Sequence, residues 1–126
     1  MSLLLDANAL LWLLGGSPQL GTKALSRIEG EATICVSDVT LFEVSIKAAR
    51  RKIQLPPQLG AVVEQLGMAR VGVRDAYLDR MRDLPMHHRD PFDRYLIAQS
   101  LVDGVPVVTS DPVFGQYGVS VVDARS

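Results

Sequence analysis

The sequence predicts an α/β domain built on a mainly parallel sheet of four to five strands, with helices covering both faces. Two observations carry this reading: short β-type apolar runs alternate with longer segments of helical period, and turn or cap residues stand at the joins. A parallel return to a sheet needs a crossover, usually a helix, so strands separated by helices predict parallel neighbours and two covered faces. The chain has 126 residues and is 48% hydrophobic, enough for one domain over residues 1–126 with one sizeable core.

Ser2 to Leu5 reads as the first strand, and Asp6 or Asn8 can cap a helix running to Leu14, which Gly15-Gly16 stops. Ser17-Pro18 opens a second helical stretch to about Glu29, and Ala32 to Val36 reads as the second strand. Ser37-Asp38-Val39-Thr40 leads into a helix whose Leu41, Val44, Ser45 and Ala48 recur at helical spacing. Pro56-Pro57 breaks the chain before a helical pattern from Gln58 to Leu66, followed by a short strand from Ala69 to Val73. Arg74 to Leu84 is helical again. Asp90 can cap a helix with Pro91 at its first position, where the missing N–H costs nothing, running to about Val102 and stopped by Asp103-Gly104. Val105 to Thr109 is a largely β-branched strand, Asp111 to Phe114 a short helix or turn, and Val119 to Val122 the last strand.

Lys+Arg 13 against Asp+Glu 14 leaves a net charge of −1, so no global charge draws this protein to nucleic acid. Affinity for a polyanion would come from a local patch or a bound metal. The single cysteine, Cys35, excludes an intrachain disulfide and, inside Ala32-Thr33-Ile34-Cys35-Val36, reads as a buried structural thiol. Met1 to Leu14 lacks a basic leader and a small-residue cleavage site, and no run approaches the ~18 apolar residues of a spanning helix. With the lone thiol this predicts a cytoplasmic protein without membrane association.

Acidic residues sit at the ends of apolar segments or at helix starts: Asp6, Glu43, Asp90, Asp93 and Asp111. Ligands in open parallel sheets gather at the carboxyl ends of strands. Asp6 and Asp111 lie just past two such ends, and Glu43 and Asp93 near helix starts facing the same rim. Each has a plain alternative. Asp6, Asp90 and Asp111 could be helix caps, worth about 1 kcal/mol each. Asp93 could pair with Arg89 or Arg94, and Glu43 could close a capping box with Thr40. All five alternatives together are harder to sustain. If the acids converge, repulsion at ~4 Å is roughly 4 kcal/mol per pair at an effective dielectric of about 20. Hard oxygen ligands without a histidine or cysteine companion suit Mg²⁺ or Mn²⁺, and the matching chemistry is phosphodiester cleavage.

At these residues the chain resembles the PIN-domain ribonucleases, specifically the toxin halves of VapBC toxin–antitoxin pairs. The likeness runs through Leu3-Leu4-Leu5-Asp6-Ala7-Asn8-Ala9-Leu10-Leu11-Trp12, Ser37 through Lys47 around Glu43, Leu84 through Arg94 with Leu96-Ile97-Ala98-Gln99, and Thr109-Ser110-Asp111. The resemblance implies a PIN-like three-layer α/β/α fold and Mg²⁺- or Mn²⁺-dependent RNA cleavage at an acidic cluster. It also implies a homodimeric toxin and a cognate VapB-like antitoxin that occludes the site. Carried over, Asp6 is the first-strand metal ligand, Glu43 the helix-borne glutamate, Asp93 the third acid and Asp111 the fourth, with Thr109 or Ser110 as the hydroxyl that orients it. Asp90 is an extra acid, and the sequence leaves open whether it or Asp93 lies closer to metal. Asn8 stands where a small polar residue follows the first aspartate.

His88, Arg89 and Arg94 are candidate RNA contacts, His87 and His88 otherwise ordering the loop before Asp90. Lys47, Arg50, Arg51 and Lys52 either meet the dipole of a helix C-terminus or touch RNA or antitoxin. Trp12 reads as core or dimer surface. Two other functions compete. A phosphoacceptor receiver domain shares the length and alternation but needs a lysine after a late strand, and the only lysines are Lys23, Lys47 and Lys52. A PIN-like RNA- or protein-binding module without cleavage activity would not need acids at all four positions.

Overall fold

The computed structural model describes residues 1–51 and 53–126; Lys52 of the basic cluster lies outside the described residues. In chain order the elements are β1 (Ser2–Leu5), α1 (Ala7–Leu14), α2 (Thr22–Gly30), β2 (Thr33–Ser37), α3 (Asp38–Arg51), α4 (Leu59–Gln65), β3 (Ala69–Val71), α5 (Asp75–Arg82), α6 (Pro91–Asp103), β4 (Val107–Thr109), a 3-10 helix (Pro112–Tyr117) and β5 (Val121–Asp123). All strand pairs are parallel, in the order β3-β2-β1-β4-β5. The expected α/β fold with a parallel sheet of four to five strands is therefore what forms, with five.

The period-two alternation of β1 divides the core. Leu3 and Leu5 pack with Leu10 of α1, Ile28 of α2, Val44 of α3 and Val63 of α4 on one face. Leu4 packs with Tyr77 of α5 and with Tyr95, Leu96, Ile97 and Ala98 of α6 on the other. Strands covered on both sides read as continuous apolar runs, as Leu3-Leu4-Leu5 does. In α6 every residue from Arg94 to Ser100 is buried, which explains why it shows no polar stripe. Among the described residues no helix is long and apolar enough to cross a membrane.

Two local expectations are corrected. The second helix starts at Thr22, not Ser17, because Ser17 Oγ accepts the Gln19 amide (3.1 Å) in a local turn. Its first amides instead meet the far end of the chain: Gly21 N donates to Ala124 O (2.9 Å), and Lys23 N and Ala24 N donate to Ser126 O (3.0 and 3.1 Å). Cys35 is half-buried, not buried, because it faces the last turn of α6 around Gln99 and Asp103, which covers it on one side only. Burial still raises its thiol pKa above the ordinary value. Trp12 is half-buried under the Arg125 guanidinium, 5.5 Å from the ring centre.

Candidate active site

The chain leaves β1 towards β2 on one side and later returns to place β4 on the other, so the carboxyl ends of β1 and β4 are adjacent at the point where the winding reverses. That is where open parallel sheets form crevices. Asp6 follows β1 with its amide donating to Val108 O (3.2 Å). It does cap α1, Oδ1 accepting the Ala9 amide at 2.8 Å, yet it is also 7% exposed and faces other acids. Burial raises its pKa, Glu43 adds to the rise, and hydrogen bonds from Thr109 and Ala9 together with the Lys47 charge oppose it. Thr109 thus acts on Asp6, while its Oγ1 accepts the Asp111 amide at 3.1 Å. Ser110 lines a shallow pocket beside them with Asp111 and Pro112.

Glu43 is buried one turn into α3. The capping-box alternative fails because α3 begins at Asp38, with Ser37 Oγ accepting the Val39 amide (3.1 Å), so Thr40 is already inside the helix. Glu43 Oε2 pairs with Lys47 Nζ at 3.1 Å, and Oε1 is buried without a hydrogen-bond partner. Lys47 Nζ also donates to Asn8 Oδ1 at 3.4 Å. Asn8 therefore touches Glu43 only through the lysine, and Lys47 lies half-buried between them rather than at a solvated helix end. The i, i+4 spacing of Glu43 and Lys47 was the available signal for it.

Asp93 lies in the first turn of α6, whose N-cap is Asp90, with Oδ1 accepting the Asp93 amide at 3.0 Å. His88 Nε2 stands 2.8 Å from Asp93 Oδ2 and 2.9 Å from Asp111 Oδ2, and ligand atoms of these three residues lie within 4.8 Å of one another. Asp93, not the helix-capping Asp90, enters this group. Asp111 keeps its other oxygen for the Val113 amide (2.9 Å), capping the 3-10 helix. His88 was expected only at the level of loop order or RNA contact; the structure puts its ring between two acids.

Arg94 is a correction. It is 8% exposed, and its guanidinium donates to Pro85 O, His88 O and Tyr117 Oη through Nη1 and to Met81 O and Leu84 O through Nη2. Carbonyls of the last turn of α5 and of the loop before α6, with the Tyr117 hydroxyl, occupy its Nη donors, so RNA cannot reach them. Arg89 is exposed, as are Arg50 and Arg51 in the last turn of α3.

The electrostatics show what the acids lack. Burial foremost, then the charges of Asp90 and Glu43, push the Asp93 carboxyl up from 3.8 to about 7, against the lowering effect of His88. Like charges gathered in a half-dry crevice, with a buried Glu43 oxygen left unpartnered, fit a hard divalent cation, and the oxygen donors fit Mg²⁺ or Mn²⁺. A stability prediction follows from the sign of the shift. The folded state holds the Asp93 proton more tightly than the unfolded chain, so stability falls as pH rises from about 4 to 7, and the full penalty stands above 7. In chelator, thermal melting across this range should show the wild type losing stability relative to Asp93→Asn as pH rises; parallel curves would contradict it.

A model of the PIN domain family matches residues 3–119. No curated protein matches the sequence. Several solved structures share the fold. The toxin–antitoxin complex from Klebsiella pneumoniae is 18% identical at a TM-score of 0.68, covering 96% of each chain. FitAcB from Neisseria gonorrhoeae is 18% identical at 0.69, covering 97% of each. VapBC2 from Rickettsia felis, bound to a DNA fragment from its promoter, is 12% identical at 0.69, covering 97% of this chain and 98% of the other.

Proposed function

The chain belongs to the PIN domain family, and from that premise we propose that it is a metal-dependent endoribonuclease acting as the toxin of a toxin–antitoxin pair. The observation that carries the reading is the gathering of buried Asp6 and Glu43 with half-buried Asp93 and Asp111 at the β1/β4 crevice, where burial and then the charges of Asp90 and Glu43 push the Asp93 carboxyl to about 7. Asp6, Glu43, Asp93 and Asp111 would hold Mg²⁺ or Mn²⁺. Such an ion supplies water activation and charge neutralisation at a phosphodiester. The chain's own residues set the frame for this. Thr109 holds the Asp111 backbone, Asn8 steadies Lys47 against Glu43, and the N-caps lock the first turns of α1 and α6. Lys47, with its ammonium at the site, offers a charge that can meet a substrate phosphate, and exposed Arg89 extends that reach.

Among the similar solved structures are a toxin–antitoxin complex and VapBC2, which supports a cognate VapB-like antitoxin here. A cleft of about 310 Å³ lined by Leu11, Leu14, Ile53, Leu55, Val62 and Leu66 is an apolar groove for its helix. Homodimerisation and a cytoplasmic location belong to the same reading. The test is incubation of purified protein with total RNA in Mg²⁺, in Mn²⁺ and in chelator, followed by mapping of cut ends. Cleavage restricted to the metal-containing reactions is expected; RNA binding without cutting under every condition would make the chain a binding module instead.

A further inference from the structure

We infer that His88 is a built-in competitor for the cation: its Nε2–H bridges Asp93 and Asp111, and an ion that reaches both carboxylates must displace the ring. The inference rests on the reading that these acids hold a divalent ion.

The His88 backbone is clamped on both sides. Its N–H donates to Tyr117 Oη at 2.7 Å, and its carbonyl accepts Arg94 Nη1 at 3.2 Å. Tyr117 in turn donates to Pro85 O at 2.8 Å. The loop is therefore anchored to α6 and to the 3-10 helix in a way that delivers one imidazole to the crevice. The ring's polarity is set as well. His88 Nδ1 accepts the Asp90 amide at 3.3 Å, which places the ring hydrogen on Nε2. Nε2 then aims a hydrogen at Asp93 Oδ2 and Asp111 Oδ2, at hydrogen-bond distances of 2.8 and 2.9 Å. A metal-ligating histidine has the opposite arrangement, a lone pair towards the ion and an N–H on the far nitrogen donating to an acceptor. Here the far nitrogen meets a donor. Mg²⁺ needs its oxygens at about 2.1 Å, so ion and ring cannot share the point between these carboxylates. With the backbone held, the ring leaves by side-chain rotation. His88 thereby holds the two acids in register and sets a threshold that the ion has to overcome.

Calorimetric titration of Mn²⁺ into wild type, His88→Ala and His88→Gln tests this. His88→Ala should bind about tenfold more tightly, the effect of losing hydrogen bonds to charged acceptors that the ion otherwise breaks. His88→Gln, which keeps a donor, should stay within a few-fold of wild type. Weaker binding by His88→Ala would make the ring a ligand, and unchanged binding would make it a bystander; either overturns the inference. No binding by any of the three proteins would remove the cation reading itself. A measurement on unaltered protein stands beside these. The chain has two histidines, so His88 can be assigned in ¹⁵N-histidine spectra against His87→Ala. Its Nε2–H signal should be lost to solvent exchange when Mg²⁺ is added, and persistence of that signal at saturating Mg²⁺ would overturn displacement.

Discussion

Asp93→Asn is expected to lower RNA cleavage by about a hundredfold to a thousandfold while making the protein more stable in chelator. The two effects have one cause. Burial first, and then the charges of Asp90, Glu43 and Asp6, push the Asp93 carboxyl to about 7. An amide of the same shape removes the cost of a buried, repelled charge and, with it, the negative oxygen an ion needs. The cap on α6 survives, since it runs from the Asp93 backbone amide to Asp90 Oδ1. Stability should rise by about 1–2 kcal/mol, or several degrees in melting temperature. Asp6→Asn should lose cleavage to a similar degree with α1 intact, because asparagine caps a helix as well as aspartate does. Cleavage assays paired with melting curves check both variants. A variant that cuts RNA at the wild-type rate would remove that acid from the site.

Arg94→Ala should cost about 3–5 kcal/mol of stability, the range for removing a buried charged group from its partners. The guanidinium gathers carbonyls from Met81, Leu84, Pro85 and His88 and reaches the Tyr117 hydroxyl, joining the loop before α6 to the helix itself. Without it those carbonyls are stranded, and the loop that carries His88 loses its anchor. Arg94→Lys should recover only part of the loss, because a single ammonium cannot reproduce a planar fork of donors. Urea titration gives the number directly. An RNA-contacting Arg94 would behave differently, weakening RNA binding at unchanged stability, and that result would restore the expectation which the structure overturns.

The contrast between these two residues shows what was legible in the sequence. The order of elements could be read because local signals agree: Leu3-Leu4-Leu5 before a capping Asp6, Asp90-Pro91 opening α6, Gly104 in a left-handed turn closing it. The acids could be found because carboxylates at such places need a reason. The rest depends on contacts distant in sequence. The local turn at Ser17 keeps the helix from starting there, but the amides that open α2 are held by the carbonyl of Ser126, about a hundred residues away, which no local pattern could reveal. Arg94 follows an acid in a charged block and looks solvated; only the fold turns the end of α5 and the loop before α6 over it. His88 lies between carboxylates carried by α6 and by the segment after β4, a coincidence in space that no spacing encodes. Lys47 was half legible, its spacing from Glu43 visible and its contact with Asn8 of α1 not.

Everything returns to whether Asp6, Glu43, Asp93 and Asp111 grip one hard ion. Diffraction from crystals of the protein soaked in Mn²⁺, recorded for anomalous signal, asks this directly. A strong anomalous peak bounded by the oxygens of those four residues is expected, with the His88 ring turned away. That grip is contradicted by crystals of RNA-cleaving protein in which manganese is absent from the crevice and the carboxylates remain bound to His88 and Lys47 alone.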